Sequence, residues 1–288
     1  MTLEIWGMMV AGACVLLAGL LLARARREAA SGWDRLITLG PVFEATALAI
    51  FSAEHFFAAR DLMPIVPRWL PGPLFWTYFV GAGLLAAAIS FIAWRCVRWS
   101  ATMLALLFVI IVATVDLPNM PGHAHERLFW TLTVREMSFA AGAMVLAGSV
   151  WPRGNATGRA LMVLGRSILA PTMVFYGIQH FLFPQHAPGV PLELLTPAWM
   201  PAPLLFAYLV GTVLVLAGIG LLFGPTIRFA AATAGGLLLL ITFLFYLPIY
   251  ILEIRSALAV EGINYVGDTL LFAATVLLAG FAAPRTAD

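Results

Sequence analysis

The sequence predicts an all-α protein: a polytopic transmembrane helical bundle of nine spans, arranged as tandem parallel four-helix repeats plus one N-terminal helix. Three observations predict it. The 288-residue chain is 62% hydrophobic and only 10% charged, where a soluble domain of this length carries about 25% charged residues. Apolar runs of the length needed to cross a bilayer as a helix, about 20 residues, recur along the whole chain. One unusual loop pattern, rich in proline and tryptophan, occurs twice.

The runs fall at 4–23, 36–58, 74–94, 100–117, 128–150, 160–183, 204–223, 226–250 and 264–283. Each is too long and too continuously apolar for a barrel strand, so helices are expected. Glu4 stands near the N-terminus with no arginine before it, whereas Arg24, Arg26 and Arg27 follow the run Ile5–Ala23. A cleavable signal peptide begins positive; this order predicts an uncleaved first span with its N-terminus outside. The remaining arginines agree. The inner side receives eleven (Arg24, Arg26, Arg27, Arg35, Arg95, Arg98, Arg153, Arg159, Arg166, Arg228 and Arg285) and the outer side five (Arg60, Arg68, Arg127, Arg135 and Arg255). That bias sets the topology and leaves the C-terminus cytoplasmic. The net charge of +2 comes without a basic block, which argues against nucleic acid as a partner. Cys14 and Cys96 form neither a CxxC pair nor a zinc spacing.

The repeat is read from Pro67–Gly81 and Pro197–Gly211, where eight of fifteen positions match, among them Trp69/Trp199, Pro71/Pro201, Pro73/Pro203, Tyr78/Tyr208 and Gly81/Gly211. The same offset of 130 carries Leu117-Pro118 onto Leu247-Pro248. Upstream an offset of 125 aligns His55-Phe56 with His180-Phe181, so the second loop is five residues longer. Downstream an offset of 132 brings Glu136 onto Asp268. Four spans per repeat is an even number, so both halves enter the membrane in the same direction. The predicted divisions are an extra helix over 1–30, a first repeat over 31–152 and a second over 153–288.

A four-helix membrane unit with a Pro-rich loop after its first helix, then an aromatic and a Gly opening the second, resembles the DoxX-like family. The residues that carry the resemblance are Pro67–Gly81 and Pro197–Gly211, with the small-residue stretches Gly81–Ala88 and Gly211–Gly220. It covers residues 33–150 and 158–283 as two fused copies. The resemblance implies a bacterial inner-membrane protein associated with quinone-dependent or thiol-related redox complexes, hence a membrane redox partner subunit. The sequence departs from the family pattern at Leu84 and Leu214, where an acidic residue is often found soon after the second-helix Gly.

Ionisable groups within spans are costly, roughly 2.5–3.5 kcal/mol each at mid-bilayer, and so mark candidate sites. Here they are Glu44, Glu54, His55, Asp116, Arg135, Glu136, His180 and Asp268. All but Glu44 fall near the predicted outer ends. His55 is expected to approach Glu136, and His180 to approach Asp268, beneath loops capped by Trp69, Trp199, Tyr78 and Tyr208. Arg135 and Glu136 point about 100° apart, so Arg135 is expected to pair with Glu54 or Asp116. Glu44 shares a helix face with His55 but lies ~16 Å from it along the axis. Against these readings stand plainer ones: interfacial histidines, a structural ion pair and a Trp anchor at the membrane surface.

Three chemistries fit the histidines: ligation of haem b, binding of a transition metal together with His123 and His125, or hydrogen bonding to a quinone or polar lipid head. No nucleotide fingerprint is present. The function expected is therefore a quinone- or redox-associated subunit with a capped outer cavity. The alternatives are a carrier for a lipid-like solute and a scaffold without a ligand.

Overall fold

The computed structural model describes residues 3–152, 154–255 and 259–284; Arg153 and Arg285, two of the arginines weighed above, lie outside the described residues. Nine long helices run through the described residues: α1 (Leu3–Leu22), α2 (Gly40–Phe57), α3 (Pro73–Ala93), α4 (Val97–His123), α5 (Arg127–Ser149), α6 (Ala156–Leu182), α7 (Pro203–Gly220), α8 (Gly224–Leu252) and α9 (Ala259–Ala282). Eight of them are long and apolar enough to cross a membrane. The remaining one is α5, which carries Arg127, Arg135 and Glu136 and buries Thr131, Thr133 and Ser138. Its polar groups are sheltered by neighbouring helices, so its composition understates how well it sits inside a bundle.

Local chemistry sets the helix starts. Pro73 and Pro203 occupy the first turns of α3 and α7, where proline's fixed φ suits a helix and its missing N–H is not needed. Each follows a left-handed residue, Gly72 at φ 68° and Ala202 at φ 46°. At the start of α6, the Asn155 side chain accepts a hydrogen bond from the Gly158 N–H at 3.0 Å.

Two helices outrun their predicted ends. The sequence places the end of one span at Leu117, yet α4 continues through Pro118 to His123, and α8 continues through Pro248 to Leu252. In both, a π turn precedes the Leu-Pro pair: Val112–Asp116 in α4 and Thr242–Tyr246 in α8. Proline cannot donate to the carbonyl four residues back; the wider turn shifts the register and lets the helix pass it.

Packing joins the helices into a ring in which each of α2 to α9 lies against the next and α9 closes onto α2. The helices α5 and α9 also pack on each other through the middle, running parallel. The two four-helix stretches therefore share one ring and do not close as separate bundles. The fourth helix of the first half (α5) packs on the first helix of the second (α6), and α9 packs on α2 in the same way. The helix α1 leans on α2 and α3 from outside.

Small residues make these approaches. A Cβ at Gly177 of α6 would fall 2.5 Å from Val215 and 2.7 Å from the Gly211 carbonyl of α7. Gly83, also in a small-residue stretch, has nothing within 4 Å of such an atom. Gly177→Ala is therefore expected to cost about 1–3 kcal/mol by overpacking. Gly83→Ala should leave the melting temperature in detergent unchanged, and equal effects of the two would refute this account.

At the end where α2 begins and α9 finishes, Arg228 closes the ring. It pairs with Asp34 and donates to the Gly280 and Ala283 carbonyls, each at 2.9 Å. Those carbonyls lie at the C-terminal end of α9, where a cation suits the helix dipole; the Gly280 carbonyl also accepts from the Ala283 N–H at 3.2 Å. Beside them Arg26 stacks on Trp94, and Arg98 on Trp99 and Trp151. The opposite end carries both Pro-Trp loops and is called the rim below.

Candidate functional site

The rim holds one polar cluster where α2, α5 and α9 meet. The Arg135 guanidinium donates to Asp268 at 2.6 Å and to Glu136 at 2.7 Å. Both carboxylates are largely buried, Asp268 more than Glu136. The two acids that the repeat alignment equates thus converge on one arginine, because α5 and α9 run parallel in contact. The expected partners of Arg135, Glu54 and Asp116, are corrected. Although Glu136 is the adjacent residue, the long arginine stem lets the guanidinium fork bridge it and Asp268 together.

Glu54 is buried on α2 and accepts from the Asn264 amide of α9 at 2.7 Å. It lies close enough to Asp268 and Arg135 to feel their charges, as Asp116 does those of Glu136 and Arg135. Three buried polar atoms here lack a hydrogen-bond partner among the described residues: Arg135 Nε, Asp116 Oδ2 and Asn264 Oδ1.

The histidines go elsewhere. His55 Nδ1 bonds the Phe51 carbonyl at 2.8 Å, and His180 Nδ1 bonds the Tyr176 carbonyl at 2.6 Å. His180 Nε2 accepts from the Gly189 N–H at 3.0 Å. Among the described residues neither histidine hydrogen-bonds its aligned carboxylate, Glu136 or Asp268. With both nitrogens engaged, His180 has no lone pair left for a haem iron or another metal. The duplicated His-Phe pairs serve helix crossings. The Cβ atoms of His55 and His180 sit against Gly81 and Gly211, while Phe56 stacks on Tyr78 and Phe181 on Tyr208 at 6.0 and 5.6 Å.

The remaining candidates are scattered. Trp69 and Trp199 are 69% and 54% exposed, as interfacial anchors are. His123 bonds Glu126 at 2.8 Å on an exposed surface, with His125 beside it. Among the described residues no group of three or more His, Cys, Asp or Glu is placed to hold a metal. Glu44 is 1% exposed and its Oε2 has no hydrogen-bond partner among the described residues. It lies well below the rim cluster, with Gly40, Phe51 and Glu54 on the α2 face turned to α9.

Sequence reasoning missed the second rim loop. Residues 187–192 are all buried, so this loop dips into the bundle. Arg127 donates to the Pro191 and Leu192 carbonyls and to Gln179, Tyr246 donates to the Pro188 carbonyl at 2.9 Å, and the Leu194 N–H donates to Tyr265 at 3.1 Å. The five extra residues were the available signal. Burial, with Arg127 nearby, holds His186 of this loop below its usual value of 6.5, so its imidazole is neutral at neutral pH. The first loop behaves differently: none of residues 60–72 is buried.

Comparison with known families agrees with this architecture. Residues 161–247, covering α6, α7 and most of α8, match the DoxX family model, and residues 45–127, covering α2 to α4, match a domain of unknown function, DUF8561. No curated protein and no solved structure matches the chain. The chain is thus an integral membrane protein in which the stretch 161–247 is similar to the DoxX family.

Proposed function

We propose that this protein binds one hydrophobic small molecule with a polar head, of the quinone or lipid-like class, at the rim of its first half. The observation that carries the reading is the Arg135–Asp268–Glu136 cluster with three buried polar atoms left unpaired around it. A cluster kept only for stability would pair such atoms, since each costs about 1–3 kcal/mol when left alone. The arrangement favours a single binding site over two equal ones, and a ligand-binding role over a scaffold. The chain derives from two fused four-helix units in a bacterial inner membrane, with the rim outside and the arginine-rich end in the cytoplasm. Any electron transfer through the bound molecule is completed by a membrane partner subunit.

Purified in mild detergent, the protein is expected to retain a co-purifying quinone or lipid, detected by mass spectrometry of its organic extract at near one per chain. Asp116→Ala, which removes an unpaired acceptor without breaking the Arg135 pairs, should lose it. An extract from folded protein that matches the bulk membrane, with no difference between the two proteins, would refute the reading.

A further inference from the structure

The two halves treat their rim space in opposite ways. In the second half the chain fills it with its own loop. Gly189 sits among Thr269, Leu238 and Ile241, its N–H reaches His180 Nε2, and Tyr246 holds the Pro188 carbonyl. The corresponding positions of the first half, by the offsets of 125, 130 and 132, are Met137, Phe108, Ile111, His55 and Asp116. The same π turn ends in Asp116 in one half and Tyr246 in the other. The histidines keep the same Nδ1 bond in both halves, yet His180 is 1% exposed and His55 is only half-buried, because only the second loop reaches its histidine.

The loop therefore shows what kind of group this space accepts, and the exchanged residues show how the first half differs. In the second half a backbone N–H donates to the histidine. His55, with Nδ1–H given to Phe51, presents the same accepting Nε2. Where the Tyr246 hydroxyl donates a hydrogen bond to the loop, the Asp116 carboxylate offers an acceptor, and Asn264 Oδ1 is a second unpaired one. Two carboxylates, Glu136 and Asp268, already hold the Arg135 guanidinium, and Glu54 takes the Asn264 amide. Among the described residues Arg135 Nε is the unpaired donor of this cluster, and one water or one acceptor on the ligand satisfies it. The remaining equivalents, Phe108, Ile111 and Met137, are apolar.

We infer that the first-half rim takes the place of its missing loop segment with an amphiphile whose head donates at least two hydrogen bonds, one to His55 and one to Asp116. A long-chain protonated amine and an alkyl hydroquinone both carry this chemistry; an alkyl benzoquinone, which only accepts, does not. The inference rests on the single-site reading above and names the ligand's polarity.

Binding to the detergent-purified full chain tests it, by calorimetry or tryptophan fluorescence. The probes are dodecylamine and a decyl hydroquinone, against dodecyltrimethylammonium, the dimethyl ether of that hydroquinone and decyl benzoquinone. At least one donor probe is expected to bind 10-fold or more tightly than its methylated counterpart, and Asp116→Ala should remove that preference. Asn264→Leu, which leaves the arginine pairs intact, is a second variant should Asp116→Ala fold poorly. Preference for the amine alone identifies a cationic head, and preference for the hydroquinone alone a neutral one. Equal binding of donor and methylated probes, or tighter binding of the benzoquinone, overturns the donor inference and leaves the single-site reading standing. No binding by any probe, with lipid extracts that match the bulk membrane, overturns both.

Discussion

Arg135→Leu should destabilise the bundle by about 3–5 kcal/mol, the cost of leaving a buried charge without its partner. Two carboxylates share that guanidinium, Asp268 at 2.6 Å and Glu136 at 2.7 Å, and no other arginine contacts them among the described residues. The loss should appear as a lower melting temperature in detergent and a reduced yield of folded protein. The mechanism makes a sharper claim about combinations. The triple variant Arg135→Leu, Glu136→Gln, Asp268→Asn removes the charges together and should recover much of the loss. Arg135→Lys keeps a charge but not the fork, and should fall between. If the triple variant is as unstable as Arg135→Leu, the damage comes from lost packing and the electrostatic account is wrong.

Arg127→Met should release the buried loop at a cost of about 2–4 kcal/mol of local opening energy. Charge-assisted hydrogen bonds are worth roughly 1.5–3 kcal/mol, and buried carbonyls left alone add to the cost. Arg127 serves Pro191, Leu192 and Gln179, and the methionine stem keeps most of its packing. Hydrogen exchange is the measurement. The Ala187 N–H, bonded to Leu194 at 2.7 Å, and the Gly189 N–H, bonded to His180, should exchange about 30-fold or more faster, while amides in the middle of α9 stay protected. Equal acceleration throughout the chain would mean that Arg127 supports global stability and not the loop.

Much of the helix plan was readable because the forces that set it are local. Apolar length marks the spans, and Pro73 and Pro203 mark where α3 and α7 begin. The repeat alignment equated Glu136 with Asp268, but that both would share Arg135 was not legible from it. What stayed hidden depends on partners far along the chain. Pro118 looked like an end, because a π turn leaves no distinct mark in composition. The duplicated histidines suggested ligands, yet an imidazole bonded to the carbonyl four residues back is settled within its own helix. The five extra residues of the second loop were visible as length, whereas their burial depends on Arg127, Tyr246 and Tyr265. Glu44 stood out on both counts, as an acid within a span and as a buried carboxyl with an unpaired oxygen.

The crossing of α5 onto α6 and of α9 onto α2 bears on how such a chain is assembled. A stretch holding only α2 to α5 would have the inner flanks of its outermost helices facing lipid, and a stretch holding only α6 to α9 would present the matching flanks. Each is the template that completes the other. During synthesis α2 must wait for α9 before its buried face is covered, so insertion of the intervening helices precedes closure of the ring. A chain truncated before α9 lacks one strip of the ring and, with it, half of the arginine cluster. Synthesis as far as α9 is thereby a condition of the polar site itself.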